Sequence, residues 1–317
     1  MRVRDYVVLF ALALIWGASF LFIKVAVQEV TPAVLVAGRL LFSITTLCLI
    51  VAAKPALLAG WHRYWRLALV AGLVNIALPF LLISWGETRI ASGVASILNA
   101  TTPLFTVLLA SWWPGNGHEA LTGGRVAGVL LGFVGVGVLV GPGALNLAGT
   151  GLNSTIGELA VLLAAAAYGV GALLARRYAG SGQLVGPLTM QVAALVYTLP
   201  LVLITGVPTH VPSAQAIAMM AILGVMGTAV AYLLYFSLIR NVGASRTTVV
   251  TYLLPCTALI WGVTLQHETV SWNTLAGLLL ILLGTMVTND TLRGLRRSSA
   301  AREALPLPAE RAEAARG

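Results

Sequence analysis

The sequence predicts an all-α polytopic membrane protein: ten transmembrane helices as two inverted five-helix repeats, with the N- and C-termini cytoplasmic. Three observations predict it. Of 317 residues, 59% are hydrophobic and 9% charged, and the mean hydropathy is +0.94, which is far too apolar for a soluble domain of this length. The chain also repeats itself. Trp16, Gly17, Lys24 and Pro103 return 152 positions later as Tyr168, Gly169, Arg176 and Pro255, and His118, Glu119, Gly128 and Gly135 return 149 positions later as His267, Glu268, Gly277 and Gly284. Each copy holds five apolar segments, an odd number, so the second enters the bilayer upside down relative to the first. The third observation is charge. With the N-terminus inside, sixteen basic residues, from Arg2 to the six arginines of the tail, face the cytoplasm; Lys24 and Arg89 face outward and Arg39 lies within a span. That is the asymmetry expected of cytoplasmic loops.

The first copy occupies residues 1–145, the second 146–292, and 293–317 reads as a basic, loosely ordered cytoplasmic tail. The first apolar run, near 6–27, starts like a signal peptide, but it lacks an A-x-A cleavage site and carries the repeated Trp16-Gly17, so it reads as a retained helix. Trp16 and its counterpart Tyr168 fall at mid-span, deeper than interfacial anchors. With Phe20, Phe80, Tyr232 and Tyr235 they could line an amphipathic pocket, though ordinary packing is the simpler reading of any one of them, and Ser19 reads as packing or pore lining. Lys24 lies toward the outer surface, where snorkelling to headgroups or a gating role explains it.

The second span, near 33–53, contains Arg39 about 9 Å deep at 1.5 Å per residue. It requires Glu29, Glu87, a carbonyl or a solute carboxylate as partner, so both a gate and a structural ion pair are open. The third span, near 67–86, pairs Asn75 with Pro79, one turn apart. In the fourth, near 91–112, Ser92, Ser96, Asn99, Pro103 and Thr106 share one narrow helical face, with Thr102 beside it. Polar groups at that depth cost free energy unless they meet a partner, water or a substrate. Asn99 points to a substrate contact, and the prolines free carbonyls and permit bending. The fifth span, near 126–143, follows Gly124 and holds Gly128 and Gly132, small steps that pack helices.

Residues 144–157 read as a surface linker between the copies. The sixth span, near 159–175, carries Tyr168 and ends at Arg176. The seventh, near 185–205, places Ala194 near the position of Arg39. The eighth, near 214–239, has Gly224 and Gly227 for close approach, then Tyr232. The ninth, near 246–266, repeats the polar face with Thr248, Thr251 and Pro255, and the tenth, near 271–289, has Gly277 and Gly284 two turns apart. Glu119 and Glu268 suit the N-termini of the fifth and tenth helices. Cys48 and Cys256 both lie within spans and read as packing residues, so neither a disulfide nor a thiol metal site is expected.

Several mechanisms are excluded or disfavoured. No Gly-x4-Gly-Lys-Ser/Thr loop exists to hold a nucleotide. The four histidines lie near or outside the rims, so no catalytic constellation forms and no enzyme, cofactor or metal is expected. Every Asp and Glu falls at a span end or loop, which argues against a buried-carboxylate proton relay. The net charge of +9 is spread over thin rims and a tail, which suits lipid headgroups rather than nucleic acid.

The motifs Trp16-Gly17-x-Ser19-Phe20-x3-Lys24, Gly38-Arg39-Leu40 and Ala100-x2-Pro103, with Glu119 before Gly128 and Gly135 and Glu268 before Gly277 and Gly284, resemble the EamA family of the drug/metabolite transporter superfamily. The resemblance covers residues 6 to about 290. It implies a central cavity lined mainly by the first, third, fourth, sixth, eighth and ninth helices, and export of amino acids or related metabolites across a bacterial inner membrane. The second copy departs from it at Tyr168, Arg176 and Ala194.

The resulting expectation is a secondary transporter exporting a small zwitterionic or uncharged solute, embedded in lipid as a monomer or homodimer. Trp16, Ser19, Asn75, Ser96, Asn99, Thr102, Tyr168, Tyr232, Thr248 and Thr251 are its expected contacts, with Pro79, Pro103 and Pro255 as hinges and Lys24 and Arg39 at the mouth. An importer or exchanger on the same fold and a passive channel are the alternatives.

Overall fold

Main-chain polarity dictates the architecture: in hydrocarbon each backbone N–H and C=O must be satisfied within its own segment, which helices do. The computed structural model describes residues 2–112, 122–141, 150–175, 184–206, 210–242, 247 and 249–289, and among these no strand occurs. The first half contains α1 (Val3–Ala26), α2 (Pro32–Ala53) and α3 (Trp65–Gly72), which runs through a π-helical turn (Leu73–Ala77) into α4 (Leu78–Glu87). Then come α5 (Ser92–Asn99), α6 (Thr102–Trp112) and α7 (Gly123–Val140). The second half contains α8 (Thr150–Ala175), α9 (Val185–Thr205), α10 (Ala214–Gly224), a second π-helical turn (Val225–Val230), α11 (Ala231–Val242), α12 (Val249–Gln266) and α13 (Trp272–Thr288). Nine helical stretches among the described residues are long and apolar enough to cross a membrane, and α13 is a shorter apolar helix.

Local chemistry sets the ends. Thr31, Thr122, Ser213 and Ser271 each accept a backbone N–H three residues on, capping α2, α7, α10 and α13. Pro103, without an N–H, divides the fourth stretch into α5 and α6, whereas Pro255 sits inside an unbroken α12. The two π-helical turns begin 152 positions apart, at Leu73 and Val225, the same offset that relates Trp16 to Tyr168. One expectation is corrected here. Residues 150–157 are helical rather than linker, because the Ser154 and Thr155 hydroxyls donate to the Gly151 carbonyl at 3.0 and 2.9 Å and so are absorbed by their own helix. His118, Glu119, Arg176, Thr248 and the 293–317 tail lie outside the described residues.

Packing respects the exchange of halves. α1 lies along α12, as α8 lies along α5 and α6; α2 meets α10, as α9 meets α3; α2 pairs with α9, and α7 with α13. Glycines set the closest of these approaches. A Cβ on Gly284 would come 2.6 Å from the Gly128 carbonyl, and one on Gly128 would come 2.6 Å from the Thr288 nitrogen, so α7 and α13 touch backbone to backbone. Outward faces are apolar, with Leu130, Leu203, Leu279 and Leu283 exposed, as a lipid-facing surface requires. Cys48 is exposed on that surface rather than packed inside.

Candidate functional site

A cavity of ≈ 290 Å³ lies between the halves. This volume is near the lower end for small-molecule sites, fitting a small metabolite. Its wall brings together ten of the expected residues: Trp16, Ser19, Arg39, Asn75, Asn99, Thr102, Pro103, Tyr168, Tyr232 and Thr251. Phe20, Phe80 and Tyr235 join them. The π-helical turns place Asn75 and Gly227 in that wall, and such turns recur at functional sites because the widened ring redirects side chains and carbonyls.

Arg39 is the most consequential member. It is 7% exposed, its Nε donates to the Thr228 hydroxyl at 2.8 Å, and its guanidinium lies 3.9 Å from the Phe80 ring centroid. Thr228 in turn donates to the Leu223 carbonyl at 2.8 Å, so the second π-helical turn anchors the arginine. Among the described residues no carboxylate lies within ion-pair distance of Arg39, and Arg39 is part of the cavity wall. Aromatic rings make up much of the wall. Trp16 and Tyr235 have ring centroids 5.4 Å apart, and Tyr235 meets Phe236 edge-on at 5.8 Å. The Asn99 side-chain oxygen is buried without a donor among the described residues. The carbonyl that Pro103 frees on Asn99 is already taken, because the Thr102 hydroxyl donates to it at 2.8 Å.

The cavity is eccentric. Thr251 is two residues from the start of α12, near the end of the bundle where Leu9 and Leu12 pack against Leu238 and Val250. Polar contacts tie the far end together. Lys24 Nζ donates to the Glu87 and Ile90 carbonyls at 2.6 and 2.8 Å, capping the end of α4. Glu268 accepts from the Ser92 and Gly93 amides at 2.7 and 3.0 Å. The exposed Glu29 accepts from the Ser213 amide and hydroxyl, which hold its carboxyl below the ordinary value of 4.5. Glu268 therefore caps α5, in the other half, and not α13 as its position in the chain suggested; helix starts cluster at this end, and its carboxylate meets the free amides of its neighbour.

Other expected residues lie elsewhere. Ser96 is fully buried and donates to the Gly93 carbonyl at 2.7 Å. Pro79 and Pro255 are buried outside the wall, Lys24 sits beyond it, and Thr248 is outside the described residues. Met190 was missed. Gly72 approaches Met190 O, Ala193 and Ala194 N, just as Gly224 approaches Arg39 O, Phe42 and Ser43 N. Met190, also a wall residue, is thus the counterpart of Arg39, one turn before Ala194. The residue types share no signal, so only matched contacts reveal the pair. Glu87 does end α4, as its place at a span end predicted, but it is fully buried there.

The comparisons with known proteins agree with this architecture. The EamA-like transporter family matches residues 4–141 and again 155–290. An uncharacterized transporter of Archaeoglobus fulgidus is 26% identical over 293 residues, 90% of this chain and 98% of the relative. The uncharacterized inner membrane transporter YedA of Escherichia coli K12 is 26% identical over 269 residues, 83% of each chain. A probable terminal-alkyne amino-acid exporter of Streptantibioticus cattleyicolor is 28% identical over 293 residues, 90% of this chain and 93% of the relative. A protein of known crystal structure superposes with a TM-score of 0.64 at 19% identity, covering 93% of this chain and 99% of its own. With both halves matched and apolar helices throughout, the chain is a multi-pass membrane protein that belongs to the EamA-like transporter family.

Proposed function

We propose that this protein is a secondary transporter that exports a small amino acid or a close relative by alternating access about the central cavity. The chain crosses a bacterial inner membrane ten times as two inverted repeats with both ends in the cytoplasm. The observation that carries the reading is Arg39: a buried cation in the cavity wall with no carboxylate partner among the described residues. Burying an unpaired charge is costly, and a solute carboxylate offsets that cost through a charge-assisted, two-pronged contact. The Asn99 oxygen, without a donor among the described residues, and the faces of Trp16, Tyr168 and Tyr232 suit the ammonium group of the same solute. A zwitterion fits better than an uncharged molecule. Export is supported by the relative named as a probable amino-acid exporter.

Counterflow of radiolabelled proteinogenic amino acids into liposomes containing the full chain tests this. The reading predicts saturable, trans-stimulated exchange that weakens in Arg39→Gln. Linear flux in place of saturation makes the protein a pore, and no flux of any amino acid, with intact folding, removes the assignment.

A further inference from the structure

Glu87 has no place in the solute site, yet it is among the most isolated polar groups in the molecule. It ends α4, its relative exposure is 0%, and neither carboxylate oxygen has a hydrogen-bond donor among the described residues. An ionised carboxylate in that condition loses its hydration without replacement, while a neutral carboxylic acid loses far less. The charges acting on it are Lys24 from α1, Arg39 from α2 and Glu268 from the segment after α12. Each is engaged elsewhere. Lys24 is turned onto the main-chain carbonyls of Glu87 and Ile90, Arg39 onto Thr228, and Glu268 onto the Ser92 and Gly93 amides. On α8, packed along α4, the ionisable side chains among the described residues are Glu158 and Tyr168, and α3 and α5 present Arg66 alone. Arg89, two residues on, lies 3.6 Å over the Trp85 ring.

We propose that Glu87 is a proton-binding site coupled to opening of the far end of the cavity, neutral while that end is closed and ionised once opening admits water. The coupling is geometric. Opening between α1 and α4 takes Lys24 off the two carbonyls, which wets Glu87 and leaves the ammonium free to pair with its carboxylate. The only bond that changes is the carboxyl O–H: its proton passes to water on that side at opening and returns from water at closure. Acid therefore favours the closed far end.

Two arms test this with the full chain in lipid. The first, infrared difference spectroscopy in nanodiscs across a pH series, is independent of transport. It should show a carboxylic C=O band that titrates in the wild type and is absent in Glu87→Gln; identical spectra from the two proteins overturn the proposal. The second rests on the transport reading and follows amino-acid counterflow with acid applied to the far side. Wild-type exchange should slow by up to about tenfold per pH unit, the limit for one proton. Glu87→Gln, a mimic of the neutral acid, should be slow at every pH, while Glu87→Asp retains the pH response. Glu87→Gln exchange with the wild-type pH profile overturns the coupling. If the wild type moves no amino acid, the transport reading falls and the infrared arm alone decides the proton site.

Discussion

The Arg39 guanidinium stacks on Phe80 of its own half and hydrogen-bonds Thr228 of the other, so one cation ties the two halves together at the cavity wall. Removing it should separate recognition from folding. A charge-assisted contact is worth about 1.5–3 kcal/mol, so Arg39→Gln should raise KM for the carried amino acid roughly 10- to 100-fold. Arg39→Lys keeps the charge but loses the planar fork, and should give an intermediate KM. The amino alcohol lacking the carboxylate should compete equally well against wild type and Arg39→Gln in proteoliposome kinetics.

Glu268 caps α5 from the opposite half through two amides. Glu268→Ala leaves those donors without an acceptor and should cost about 1–2 kcal/mol. Glu268→Gln, with one oxygen lost, should cost less. Thermal unfolding in detergent measures both.

Gly284 faces the Gly128 carbonyl so closely that a Cβ would sit 2.6 Å from it. Valine there forces α7 and α13 apart, at about 1–3 kcal/mol. The pair lies away from the wall, so Gly284→Val should lower the melting temperature while KM of the surviving protein is unchanged.

The Glu29 carboxyl is held below its ordinary value of 4.5, first by the Ser213 hydroxyl and then by the Ser213 amide. Because the folded value is depressed, the contact contributes stability above 4.5 and loses it as pH falls through the folded value. Wild type should therefore melt higher than Glu29→Gln at neutral pH, and the difference should vanish in acid below that window. Equal melting curves at neutral pH would show that the contact contributes nothing.

Much of the site was legible because helical periodicity alone decides which residues share a face. Asn99 and Pro103 in one half, with Thr251 on the corresponding face of the other, were readable from spacing, and all three meet in the wall, whereas Ser92 and Thr106 of the same face do not reach it. Ser96, on the same face, was not separable from them by spacing; its own backbone absorbs its hydroxyl, which depends on local carbonyl geometry. The π-helical turns were illegible for a related reason. Neither Leu73–Ala77 nor Val225–Val230 contains a residue that marks one, and a widened turn is selected by what packs against it. Here Asn75 presses on Gly171, whose Cβ would come 2.7 Å from the Asn75 Cβ, while at the exchanged positions Gly227 faces Ser19, with a Cβ 2.9 Å from the Ser19 Oγ.

By itself the sequence determined the membrane, the helices and the duplication, because apolar length, main-chain satisfaction and an internal offset are properties of the chain alone. Tertiary structure decided the partners: that Arg39 and Met190 share one cavity wall, that Glu268 caps a helix of the other half, and that Glu87 is sealed from water. Burial and electrostatic pairing are set by which segments close over a side chain, and segments more than a hundred residues apart in the chain do the closing here.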